Sequence, residues 1–236
     1  MLPTDFTVEH GIAIAFLFGT WLAYPLILRL FGIAPLNTQL MVARRKWVNE
    51  ISNRSGNPFD AILLGHITNS VAFFGSATLI VLAGIFTIVV HIESIHNTVT
   101  NLHFIDPVSL ELFALMYGLL ASVLIVCFFS FTYALRQLLY SIALIGALPE
   151  SASASEAYED LTSDTTTVLT QALKTFNFGI RGYYYAMASM CLFVSPMLCI
   201  IATSIVTAIL IYRQVKSPTS RAIARYTRKV KTNHEH

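Results

Sequence analysis

Charge is what this sequence has least of. Lysine, arginine, aspartate and glutamate make up 12% of its 236 residues, about half the share of a soluble domain. Such a surface cannot face water all round, and lipid is the solvent that fits. No Lys or Arg precedes Arg29, so the chain lacks the basic start of a secretory signal peptide. Its first apolar stretch therefore reads as a retained span. The three cysteines, Cys127, Cys191 and Cys199, are scattered through apolar stretches. That excludes a disulfide framework and a metal-ligand spacing, and leaves them as small apolar filler. Apart from Glu111 at the outer edge of one stretch, the apolar segments hold no Asp or Glu, which weighs against a proton-coupled transporter. There is no Gly-rich phosphate loop, Ser-His-Asp set or carboxylate pair in a plausible site, so no enzyme is expected. His66 is the only histidine clearly within a span. Two axial haem ligands on facing helices are thus lacking, and no cofactor is expected.

What is abundant is apolar length: 55% of the residues are hydrophobic and the mean hydropathy is +0.65. Four stretches, residues 11–30, 61–90, 110–147 and 184–212, meet the length of about 20 residues that crosses the hydrocarbon as a helix. The expected fold is an all-α integral membrane bundle of four transmembrane helices. It fills residues 1–216 as one domain, and residues 217–236 form a basic, flexible tail. Pro25 kinks the first helix, and Asp60 is a candidate N-cap for the second. The third stretch is far longer than a bilayer, so about four turns project into water. Pro149 stops it, Ser153 and Glu156 have capping-box spacing, and the next helix runs from about Ser155 through Arg181 into the fourth span. Helices three and four are expected to form a hairpin with a water-exposed tip.

Arg44, Arg45, Lys46 and Arg54 in the first connection, and Lys174 and Arg181 in the third, place those connections in the cytoplasm and the N-terminus outside. With four spans the C-terminus also lies outside, against the basic tail of Arg213, Lys216, Arg221, Arg225, Arg228, Lys229 and Lys231. Several agreeing segments outweigh one terminal one, and the first assignment is followed. On the cytoplasmic side the tail would lie on anionic lipid. His91, Glu93, His96 and His103 suggest a metal, but the spacing does not gather them on one helical face, and a solvated interface loop fits better. The acids Glu156, Glu159, Asp160 and Asp164 read as a solvated face.

Polar side chains recur at one depth on three helices. The second opens with His66, Thr68, Asn69 and Ser70; the third carries Thr132, Arg136, Gln137 and Tyr140; the fourth enters with Asn177, Arg181 and the tyrosines Tyr183, Tyr184 and Tyr185. One reading is snorkelling arginines beside an aromatic belt. The other is an anion- or lipid-binding site of Arg136, Arg181, Asn69, His66, Gln137 and Asn177, since guanidinium forks suit phosphate and no acid in those sets neutralises them.

Three segments carry a family resemblance. The first is Arg44-Arg45-Lys46-Trp47 with Thr68-Asn69-Ser70-Val71 and Ser76-Ala77. The second is Phe131-Thr132, Leu135-Arg136-Gln137, Tyr140 and Leu144-Ile145-Gly146-Ala147. The third, and most specific, is Phe176-Asn177-Phe178-Gly179-Ile180-Arg181-Gly182-Tyr183-Tyr184-Tyr185-Ala186, with Ala202-Thr203 later. Together they resemble the bacterial and plant membrane proteins grouped as domain of unknown function 599, over residues 16–217. Gly65 and Thr68 depart from that pattern, which is expected to carry glutamine and arginine there. The resemblance implies a four-helix membrane protein of a bacterial inner membrane and no stated activity. The expected role is a non-catalytic accessory or scaffold subunit, partnered by membrane lipids and by another membrane protein or a second copy, with no nucleic acid. The alternative is a small channel or an anion- or lipid-binding transporter using the polar cluster.

Overall fold

The computed structural model describes residues 3–51, 58–100, 108–149 and 156–232. Among these, all regular structure is helical: α1 (Val8–Leu30), α2 (Leu36–Ile51), α3 (Pro58–Val90), α4 (Ile92–Thr100), α5 (Leu110–Gly146), α6 (Glu156–Met190), a 3₁₀ turn (Cys191–Phe193), α7 (Pro196–Val215) and α8 (Pro218–Thr232). Four candidates are long and apolar enough to cross a membrane: Val8–Leu30, Pro58–Val90, Leu110–Gly146 and Pro196–Val230, the last running through α7 into α8.

Packing divides the chain into two compact units. The first gathers Met1–Ile27, Gly75–Phe129 and Phe178–Ile211; the second gathers Leu28–Phe74, Ser130–Asn177 and Tyr212–His236. In the first, α1 buries Ala13, Leu17, Trp21 and Tyr24, a spacing of three and four that puts them on one helical face. Residues between them, such as Phe16 and Leu22, stay exposed and apolar, as a lipid-facing surface requires. At the edge of this unit Asp5 accepts hydrogen bonds from Ser109 N at 2.6 Å and Ser109 Oγ at 2.7 Å. Ser109 in turn caps α5 through Leu112 N. Slight burial works against the Asp5 charge, but the Ser109 hydrogen bonds hold its carboxyl below the usual carboxylate range.

The second unit has its core in Val48, Val71, Ala134, Leu138, Leu169 and Ala172, and Phe74, Phe131 and Phe176 meet pairwise at 5.6–5.7 Å between centroids. Here α8 packs against α2: Thr227 Oγ1 donates to Gln39 O, and Leu36 N donates to Gln214 Oε1 at the end of α7.

Five expectations are corrected. Residues 184–212 are not one helix. α6 ends at Met190, and α7 starts afresh at Pro196 behind Ser195, whose Oγ accepts from Leu198 N at 3.2 Å. A proline has no N–H to give the preceding turn, and it disfavours a helical residue before it, so Ser195-Pro196 is a helix start. The connection after the first span holds α2, and the stretch expected as an interface loop holds α4. The tail is not loose over Pro218–Thr232, where it forms α8 on α2. Asp60 is not an N-cap: the helix starts at Pro58, and Asp60 in its first turn accepts from Trp47 Nε1 at 2.7 Å. Arg54, His103 and the Ser153 cap lie outside the described residues.

Candidate functional site

α6 brings Phe178, Arg181, Gly182 and Tyr185 into the first unit on one face, by their spacing of three and four. Gly182 makes the close approach possible. A Cβ at this position would overlap Cys127 Sγ and come within 2.9 Å of Trp21 Cζ2. Trp21 stacks on Phe178 at 5.3 Å with 10° between the planes, and on Tyr185 at 6.3 Å. The Arg181 guanidinium carbon stands 4.9 Å from the Tyr24 ring centroid and 5.7 Å from that of Phe178. Tyr185 is also tied to α7, its hydroxyl 3.0 Å from Thr207 Oγ1. Thr207 gives its own proton to Thr203 O at 2.8 Å, so Tyr185 is the donor of that pair. Tyr183 is hydrogen-bonded to Thr78.

Two donors of this aromatic cluster are fully buried and have no acceptor among the described residues, Arg181 Nε and Trp21 Nε1. Cation–π contact is worth about 0.5–2 kcal/mol per ring, comparable with the roughly 2.5–3.5 kcal/mol cost of an arginine at the centre of a membrane helix. Ring faces can therefore carry much of the charge. They do not accept a guanidinium N–H as an oxygen does, and each unmet buried donor costs about 1–3 kcal/mol. The cluster is thus well suited to an acceptor with a negative charge.

The other expected site residues belong to the second unit. His66 and Asn69 on α3 and Arg136 on α5 are exposed, while Gln137 beside Arg136 is buried with its Oε1 unpaired among the described residues. Adjacent helix positions point about 100° apart, so Arg136 and Gln137 do not share a face. Asn177 spends one amide proton on Leu173 O of its own helix, at 2.7 Å. Sequence reasoning passed over the threonines of α6. Thr162, Thr166 and Thr170 repeat every fourth residue and are buried, and the Thr166 and Thr170 hydroxyls, like that of Thr68 on α3, find no partner among the described residues. The run Thr165-Thr166-Thr167 with Thr162 and Thr170 was visible as a polar stripe at helical period. Of the histidine group, His91 Nδ1 lies 3.0 Å from Thr87 O and His96 Nε2 2.7 Å from Val108 O; both serve helix ends. Arg44 in α2 donates to Asn37 O and Asn37 Oδ1, and burial pushes its pKa down to about 10, which still leaves it charged at neutral pH.

The motif residues Asn69, Arg136, Gln137, Asn177 and Arg181 fall on the membrane-candidate helix α3, on α5 and on α6, and the sequence model of one family matches residues 12–219, from α1 to the first turn of α8. The chain belongs to the family of proteins of unknown function DUF599. No curated protein and no solved structure matches it. In this DUF599 protein the match takes in both units, including the Arg181 cluster and the buried threonines.

Proposed function

We propose that this DUF599 protein is a non-catalytic, multi-pass subunit of the bacterial inner membrane, acting as an accessory or scaffold to another membrane protein or assembling with itself. The carrying observation is the outer face of α3. It is the least buried of the four candidate spans, and it exposes His66, Asn69 and Ser70 between the exposed apolar residues Ile62 and Phe73. The Ser70 hydroxyl bonds His66 O of its own helix, whereas the Asn69 amide has no such bond among the described residues. An amide on an apolar helix gains about 0.6 kcal/mol, and up to about 1.7, by bonding across to another helix. Asn69→Leu is expected to shift the gently extracted protein towards smaller species on sizing, with loss of any protein that co-purifies stoichiometrically. A wild-type protein that is always monomeric and partner-free would sink the reading.

The same proposal includes sidedness. With α6 and α7 as separate passes, the tail ends on the side of the first connection, as its pairing with α2 supports. The N-terminus is then outside, while α2, the hairpin tip and α8 are cytoplasmic. The conflict among the basic segments disappears, and exposed Arg221, Arg225 and Lys229 face the anionic leaflet. A reporter fused after His236 is expected to be active only as a cytoplasmic one, and a periplasmic signal there would exclude the five-pass arrangement.

A second reading, a small channel or an anion- or lipid-binding transporter, draws on Arg136, Arg181, Asn69, His66, Gln137 and Asn177. The observation favouring it is Arg181, a cation among rings; its Nε, like Trp21 Nε1, has no acceptor among the described residues. Liposome flux lost in Arg181→Ala would support it.

A further inference from the structure

Within the first unit, residues 11–27, 75–90, 112–129 and 178–211 contain one Lys, Arg, Asp or Glu, Arg181; the unit's described acids Asp5, Glu9, Glu93 and Glu111 lie outside these segments. No carboxylate within these segments is available as its counter-charge. The side chain is nevertheless drawn in, its Nε fully buried and its guanidinium over Tyr24, while the residue as a whole stays partly exposed. A merely snorkelling arginine extends its head into water and leaves only its stem in the apolar layer. Arg181 instead buries the inner N–H of the head itself. In the same cluster Trp21 Nε1 is a second buried donor without an acceptor among the described residues, and its ring stacks on the Phe178 ring that Arg181 also meets. Two donors and one positive charge, with no acid in these segments, define the complement: an acceptor carrying negative charge.

We propose that Arg181 holds an oxyanion of the phosphate class against the Tyr24 and Phe178 rings, supplied either by a phospholipid headgroup or by free phosphate. The guanidinium fork matches two oxygens of one phosphate, and the bond is charge-assisted. The rings take part of the charge without occupying the N–H edge. Gly182 is part of this construction, because the missing Cβ lets Trp21 and Cys127 close against α6 one residue from the arginine. This site rests on the anion-binding half of the second reading and does not require transport.

The test uses the full-length protein, gently extracted, as wild type, Arg181→Met and Arg181→Lys. Native mass spectrometry reads retained phospholipid. Thermal unfolding then reads the response to inorganic phosphate, against sodium chloride of equal ionic strength. Wild type is expected to keep a phospholipid or, after lipid removal, to gain stability from phosphate. Arg181→Met is expected to lose both, with affinity weakened about tenfold or more. Retained lipid that vanishes in Arg181→Met identifies a headgroup as the source; a response to phosphate alone identifies the soluble ion. If Arg181→Met does not extract as folded protein, Arg181→Lys decides. It keeps the charge and loses the fork, so weaker retention supports the site and unchanged retention overturns it. Wild type with neither lipid nor phosphate response, or a folded Arg181→Met that matches wild type in both, also overturns it. Binding without flux would remove the transporter reading and leave the site; flux that persists in Arg181→Met while binding is lost would leave the site and remove Arg181 from transport.

Discussion

Gly182→Ala is expected to lower the stability of the extracted protein by about 1–3 kcal/mol, although alanine is the better helix former by about 1 kcal/mol. Packing decides the sign. The new Cβ overlaps Cys127 Sγ and crowds Trp21 Cζ2 at 2.9 Å, and both neighbours are almost wholly buried. Trp21 is itself held between Phe178 and Tyr185, so it has little room to withdraw. Cys127→Ala removes the overlapping sulfur, and the pair Cys127→Ala/Gly182→Ala is expected to recover a large part of the loss, a non-additivity that contact predicts. Gly84→Ala is the control. A Cβ there meets nothing within 4 Å, and the change should be neutral or stabilising. Thermal unfolding in detergent measures all four variants against wild type. A Gly182→Ala variant as stable as Gly84→Ala would mean that α6 does not approach Trp21 and Cys127 in this way.

Asp60→Ala carries the second large effect, on the second unit. Asp60 is 6% exposed and accepts from Trp47 Nε1 at 2.7 Å, so it ties α2 to the first turn of α3. Removing the carboxylate leaves the indole N–H without its acceptor at a cost of about 1–3 kcal/mol. It also removes a negative charge from a helix N-terminus, worth about 0.3–1 kcal/mol more. Asp60→Asn keeps an acceptor oxygen and is expected to retain most of the stability. Trp47 fluorescence should move to longer wavelength in Asp60→Ala and stay near the wild-type position in Asp60→Asn. Equal stability of all three would remove the tie between α2 and α3.

Two places where sequence reasoning failed, α2 and α8, share one physical cause. The α2 segment from Leu36 to Ile51 carries Arg44, Arg45 and Lys46, and read as composition it looks like a polar connection. It is helical because Val48 and Trp47 have a core to enter, and helices of this length owe most of their stability to such packing. α8 repeats the case: residues 218–232 alone are basic and weakly apolar, and the helix rests on α2. The break at Ser195-Pro196 was legible, since an N-cap serine before a proline is a start signal. Uninterrupted hydropathy across it concealed the signal, because hydropathy counts apolar residues and is blind to chain direction. For the polar cluster, the direction in which each side chain points was not readable. Arg136 and Gln137 are neighbours in sequence, yet one is exposed and the other buried.

Composition and apolar length by themselves determined that this is an all-α protein with helices fit for a membrane, and three short motifs determined its family. Those properties are sums over residues or local spacings, so they survive without knowledge of any contact. The tertiary structure alone decided which polar groups are enclosed: that Arg181 lies over Tyr24, that Gly182 admits Trp21 and Cys127, and that the tail lies on α2. Each of these depends on side chains distant in sequence meeting at one point, and the bare periodicity of a helix does not say which of its faces will meet another.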